Sequence, residues 1–305
     1  MWLILAFMSA ALLGCYDSFK KHALRENAVI PVLFLNTLFS SLIFLPFIVL
    51  SGSSTVLDGT VFHVASGGWE LHRYILLKAL IVLSSWILGY FGMKHLPLTI
   101  VGPINATRPV MVLVGALLVF GERLNLWQWV GVLLAIASFL LLSRSGKKEG
   151  IDFKHDHWIY MIVGAAVFGA ISGLYDKFLM APPESGGVGL DRMMVQSWYN
   201  IYQCGMMGVM LWLLWWPKHR ETTPFHWSWS ILGVSLFLST ADFMYFYSLS
   251  LPEAMISIVS MIRRGSVIVS FMFGALFFHE KNLKAKAFDL ALVLLGMVFL
   301  YIGSR

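Results

Sequence analysis

Asp17, Lys78, Arg108, Asp176, Lys177, Asp242, Arg263 and Arg264 each fall within an apolar stretch of this sequence. A charge held away from water is expensive, so such groups face a cavity or one another. Arginine's planar fork grips a carboxylate or phosphate at two points and stays charged at any working pH. Arg108 and the Arg263-Arg264 doublet therefore outline a basic clamp for an anion. Asp242, together with Asp17 or Asp176, offers the carboxylates that could neutralise an arginine or carry a coupled proton. Adjacent residues on a helix diverge by about 100°, so Arg263 and Arg264 cannot both point at one ligand. One of them is expected to serve the fold.

Neutral polar residues extend the same picture. Gln196, Tyr199, Asn200 and Gln203 recur at i, i+3, i+4 and i+7, one face of a helix. Asn36, Thr37, Ser40 and Ser41 form a smaller counterpart. With Asn105, Ser239, Tyr175 and Tyr245 they are expected to line a cavity, hydrogen bonding between helices being the alternative use of each. His155-Asp156-His157 has a metal-like spacing but no third ligand nearby, so no metal is expected. There is no glycine-rich phosphate loop, which argues against ATP as energy source, and no nucleophile elbow. No cofactor is expected.

The elements that must hold these residues are membrane helices. Of 305 residues, 58% are hydrophobic and 12% charged, and the mean hydropathy is +0.77, more apolar material than a soluble domain can bury. Ten apolar stretches approach the roughly 20 residues a bilayer core requires. They run from Trp2 to Leu24, Val29 to Leu50, Tyr74 to Met93, Leu98 to Phe120, Leu126 to Leu142, Trp158 to Met180, Met193 to Trp216, Trp229 to Ser250, Ala254 to Phe278 and Ala287 to Ile302. Many of the 12 tryptophans cluster near the segment ends, where amphipathic rings prefer the headgroup level. The net charge of +6 reads as a topology signal, since no soluble stretch is long enough to fold around nucleic acid. Cys15 and Cys204 lie inside apolar segments, so no disulfide framework is expected.

The halves repeat one another. Tyr16-Asp17-x-Phe19 returns as Tyr175-Asp176-x-Phe178, and Leu83-Ser84-Ser85, Tyr90-Phe91 and Leu96-Pro97 return in register as Leu238-Ser239-Thr240, Tyr245-Phe246 and Leu251-Pro252. Residues 1–146 thus form a first repeat, 147–156 a linker and 157–305 a second repeat. Five helices is an odd number, so the second copy enters the membrane from the opposite side. The expected fold is an all-α integral membrane protein of ten transmembrane helices in two inverted five-helix repeats, the plan of many secondary transporters. Pro109, Asp242 and the Arg263-Arg264 doublet lack clear counterparts, Gly265 or Ser266 standing near the place that matches Pro109.

The Leu-Pro before helices 4 and 9, the Gly121-Glu122-Arg123-Leu124 hairpin followed by Gln128-Trp129-x-Gly131, and the five-plus-five plan resemble the EamA branch of the drug/metabolite transporter superfamily. Trp198-Tyr199-Asn200 is similar to a phrase on helix 7 of nucleotide-sugar transporters. In the sugar-phosphate translocator branch, basic residues on helices 4 and 9 hold the phosphate, and Arg108 and Arg264 are the positions matched to them. The resemblance implies secondary transport by alternating access. The substrate is expected to be a small polar metabolite, an anion such as a phosphorylated sugar, nucleotide-linked compound, organic acid or amino acid carboxylate.

A flippase for a lipid-linked phosphate or sugar is the alternative, and a multispanning membrane transferase a second. The setting is expected to be a bacterial inner membrane, with the protein a monomer or homodimer. Lys20, Lys21, Arg25, Lys94, Arg144, Lys147, Lys148, Lys154, Lys218, Arg220, Lys281, Lys284 and Lys286 outnumber Arg73, Arg123, Arg192 and Arg305 on the other side. The positive-inside rule then puts both termini outside, whereas relatives in the superfamily generally keep them in the cytosol.

Overall fold

The computed structural model describes residues 2–111, 125–147, 153–251, 259, 262–278 and 283–303. The Gly121-Glu122-Arg123-Leu124 hairpin, its counterpart at 279–282 and the side chain of Lys177 lie outside the described residues. The helices are α1 Trp2–Leu24, α2 Val29–Ser53, α3 Trp69–His95, α4 Leu98–Ala106, α5 Leu126–Lys147, α6 His157–Met180, α7 Arg192–Met210, α8 Trp229–Ser250, α9 Ser266–Leu276 and α10 Leu283–Gly303. No strand occurs among the described residues. Among the described residues six helices, α1, α2, α3, α6, α8 and α10, are long and apolar enough to cross a membrane.

Helix ends follow local chemistry. Asp191 caps α7, its carboxylate accepting from the Met194 amide at 2.8 Å. Lys21, counted above as a loop cation, instead donates to the carbonyls of Met93 and Leu96 at 2.7 and 2.6 Å, closing the C-terminus of α3. The sequence places Ser51 to Arg73 in a polar gap, but α2 continues to Ser53 and α3 begins at Trp69, so the gap shrinks from both sides.

The helices pair across the two halves. α1 lies against α8 and α3 against α6, while α2 pairs with α7, α4 with α9 and α5 with α10. Exchanging the first five helices for the last five leaves this scheme unchanged. Cross-helix contacts fix the directions: Ser9 Oγ donates to Ala241 O at 2.6 Å and Ser248 Oγ to Trp2 O at 2.9 Å, so α1 and α8 are antiparallel. Ser85 meets Ala165 while Lys78 meets Asp176, and Ser138 meets Asp289 while Trp127 stacks on Phe299, which makes α3–α6 and α5–α10 antiparallel too.

Small residues allow the closest approaches. A Cβ at Gly14 would collide with Val269 and stand 2.9 Å from the Ser266 carbonyl, so α1 packs on α9 only because this position has no side chain. The outer surface is apolar, with Ile4, Phe7, Leu80, Leu133 and Leu140 exposed, and Trp69, Trp127, Trp129, Trp216, Trp227 and Trp229 exposed near helix ends. Such a surface suits lipid. Polar residues are inside.

Candidate functional site

A cavity of about 160 Å³ lies between α1, α3, α4, α6, α7, α8 and α9. Asp17, Asp176, Asp242, Asn105, Arg108, Tyr199, Tyr245, Arg263 and Arg264 all line it. Three residues of the expected polar stripe do not: Gln196, which donates to Ser239 O at 3.2 Å, Asn200 and Gln203. Asn200 donates to its own helix at Gln196 O, 2.8 Å, and its carbonyl accepts from Ser41 of α2. Gln203 is fully buried away from the cavity with neither side-chain atom bonded. The stripe is wide enough to split, with Tyr199 turned to the cavity and its neighbours turned toward α2 and α8.

Each carboxylate of the wall has a cation. Lys20 binds Asp17 at 2.9 Å, Lys78 binds Asp176, and Arg263 binds Asp242, whose other oxygen accepts from Tyr199 at 2.9 Å. Each of these cations also rests on an aromatic ring. Lys20 Nζ stands 4.3 Å from the Tyr16 centroid and 5.2 Å from Tyr90, Lys78 Nζ 5.3 Å from Tyr199, and the Arg263 guanidinium 4.2 Å from Tyr245. Carboxylate and ring together offset part of the desolvation of a buried cation. Asp242 neutralises an arginine, in line with one sequence expectation, whereas Asp17 and Asp176 take lysines.

Arg108 and Arg264 are different. Arg108 donates to Asn105 at 2.9 Å, its Nε is buried without a partner, and among the described residues it makes no ion pair, Asp17 acting on it only at longer range. Arg264 makes no hydrogen bond or ion pair among the described residues, and its charge is opposed by Arg108 and Arg263 more than it is favoured by Tyr245 and Asp17. Of the doublet, Arg263 therefore serves the fold and Arg264 faces the cavity unpaired.

The backbone beside these two arginines follows one pattern. Thr107 donates to Ile104 O at 3.2 Å and accepts from Val110 at 3.0 Å; Gly265 donates to Ile262 O at 2.9 Å and accepts from Ile268 at 2.9 Å. Both stretches are interrupted by a three-residue turn at the arginine. Pro109, which has no N–H to give, accounts for the first. The second occurs without a proline, Gly265 adopting an ordinary right-handed conformation close to that of Thr107, so the missing counterpart of Pro109 does not leave this stretch continuous.

Lys20, Tyr16 and Tyr90 were not legible as site residues. Lys20 looks like a loop cation at a helix end, yet it is 7% exposed. Its signal was its place three residues after Asp17 and four after Tyr16, on one helical face.

The model of the EamA-like transporter family matches residues 1–144. Over that stretch the chain is similar to the EamA family, which lies within the drug/metabolite transporter superfamily. A protein of solved crystal structure, 12% identical, shares the fold with a TM-score of 0.65, covering 99% of this chain and 97% of its own. No curated protein matches the chain. The EamA match takes in Asp17, Lys20, Lys78, Asn105 and Arg108, and the remaining wall residues lie beyond it. This is a multi-pass integral membrane protein similar to a transporter family.

Proposed function

We propose that this EamA-like protein is a secondary transporter that moves a small anionic metabolite by alternating access, its two halves acting as inverted repeats around the central cavity. The observation that carries the reading is the pair of arginines, Arg108 from the first half and Arg264 from the second, that line one cavity and make no ion pair among the described residues. A buried cation without a counter-ion costs several kcal/mol, so a site that keeps two is built to receive negative charge. The antiparallel pairing of α1 with α8, α3 with α6 and α5 with α10 supports ten helices of alternating direction. It also supports a pseudo-two-fold that brings α4 and α9 to the same place.

The test is transport by the full chain in liposomes, with substrates chosen by a thermal-shift screen of anionic metabolites. Arg108→Gln should abolish uptake of whichever anion stabilises the protein, while elution volume and unliganded Tm stay close to wild type. Unimpaired transport by that variant removes the clamp from the mechanism.

A further inference from the structure

Two of the described loops reach from one half of the protein to the other. Residues 54–68 connect α2 to α3 in the first half and lie against α7 and α8 of the second. Residues 219–228 precede α8 in the second half and lie against the turn that leads into α2 and the end of α3 in the first.

The contacts are specific. Phe62 of the first loop stacks between Phe47 of α2 and Phe243 of α8, with ring centroids 5.3 and 5.4 Å apart and 13° between the planes of each pair. Beside it the Val61 carbonyl accepts from Arg192 at 3.2 Å, and the Arg192 guanidinium rests 4.7 Å from the ring centre of Tyr247 on α8. Val64 is buried, and its amide donates to Ser51 Oγ at 3.0 Å. In the second loop the His226 carbonyl accepts from the Asn27 side chain at 2.7 Å, and the His226 amide donates back to it at 2.9 Å. Paired strands exchange bonds in the same way. Lys94 of α3 donates to Thr223 at 3.0 Å, and Trp227 meets Phe39 of α2 edge-on at 6.1 Å.

The two arrangements correspond. Arg192 is the first residue of α7, and Asn27 stands just ahead of α2. The loop that leaves α2 is thus held by the head of α7, and the loop beyond α7 is held by the head of α2. Such a crossing puts the two loops at opposite ends of the α2–α7 pair, and so at opposite faces of the membrane.

A cavity between two rocking halves opens to one face only when the halves part at that face. Each loop ties the halves together at one face, so each must release before its own face opens. We infer that these loops are the latches of two gates: residues 54–68 act through Phe62 and Arg192, residues 219–228 through their grip on Asn27, and each sets how often its own face opens. Loosening one latch shifts the protein toward opening at that face alone. The inference rests on the alternating-access reading above and names the parts that alternate.

The experiment reads the side from which a cavity residue is reached. Ser172 lines the cavity, so the full-length protein carrying Ser172→Cys, with Cys15→Ser and Cys204→Ser, is reacted with a membrane-impermeant thiol reagent in right-side-out and in inverted vesicles. Thr55→Cys, at an exposed position of the first loop, identifies the vesicles in which that loop faces out. Relative to the Ser172→Cys parent, Phe62→Ala and Arg192→Gln should each speed labelling by about threefold or more from the face of residues 54–68 and leave the other face unchanged. Asn27→Ala should do so from the opposite face alone. Variants are compared at unliganded Tm close to that of the parent, and Phe62→Leu, apolar but without a ring, takes the place of Phe62→Ala if the smaller residue unfolds the protein.

Equal acceleration from both faces overturns the inference, as does acceleration from the wrong face or unchanged labelling in all three variants. Labelling needs no substrate, so any of these results leaves anion transport standing. Sided labelling in a protein that takes up no anion would remove the transport reading and keep the latches.

Discussion

The guanidinium of Arg108, just beyond the end of α4, lies against the backbone of Gly169 on α6, so that a Cβ added at that glycine would stand 2.7 Å from both Cζ and Nη1. No atom pair of that kind is tolerated at such a distance. One arginine of the cavity therefore owes its position to an absent side chain on a neighbouring helix.

Gly169→Ala should displace Arg108 without removing it. Overpacking of this kind costs about 1–3 kcal/mol, and here it should emerge as weaker ligand binding, since the guanidinium, unlike the backbone, can move. The measurement is the apparent affinity for the transported anion beside the unliganded Tm. A variant with lowered Tm and unchanged affinity would show that Gly169 serves packing alone.

Lys78 and Asp176 join α3 to α6 inside the membrane. Removing one partner strands a buried charge, so Lys78→Met and Asp176→Leu should each destabilise by about 3–5 kcal/mol. The double variant should recover most of that loss, because two apolar side chains replace the pair. A double-mutant cycle in detergent, read by thermal unfolding, decides it; additive losses would mean the pair is not coupled.

Tyr199 and Arg263 both bind Asp242. Tyr199→Phe keeps the ring beside Lys78 and removes one hydrogen bond to a charged acceptor, a loss of about 1.5–3 kcal/mol. Asp242→Asn releases Arg263 into the cavity and adds a third uncompensated cation. It should therefore tighten binding of anions while lowering stability, whereas Tyr199→Phe should lower stability alone. Isothermal titration with the same anion on both variants separates the two.

The loop cations bear on orientation. Lys20, Lys21 and Lys286 bind a carboxylate, two helix-end carbonyls and Thr99 respectively, so they are poor votes in a count of loop charge. Lys94, bonded to Thr223, loses its vote likewise, as does Arg192 on the other side, bonded to the Val61 carbonyl; Arg25, Lys218, Arg220 and Lys284 keep theirs on the side the sequence assigns them. Reporter fusions active only in the cytosol should be silent at both termini. An active terminal fusion would reverse the assignment.

Much of the architecture was readable because lipid leaves a chain few options. Apolar stretches predicted the positions of α1, α2, α3, α6, α8 and α10, and the returning Tyr-Asp-x-Phe phrase put Asp17 and Asp176 in corresponding places, where both line the cavity. Charges such as Arg108 and Asp242 stood out because they are costly where they are. Lys20 did not stand out, since a lysine near a helix end resembles a solvated one until the partner helix is in place. Asn200 and Gln203 looked like cavity residues because periodicity gives a face but not its neighbour. The interruption at Gly265 was hidden because glycine, unlike proline, does not oblige a helix to break.

The matched turns at Thr107 and Gly265 place each unpaired arginine on the weakest joint of its own helix. Force applied to either guanidinium acts directly on peptide units where the regular ladder of bonds is interrupted by a three-residue turn, so grip and flexure are coupled within a single residue's reach. A ligand bridging Arg108 and Arg264 would behave as a strut between two hinges, and the slowing of amide exchange at those two turns would record its arrival.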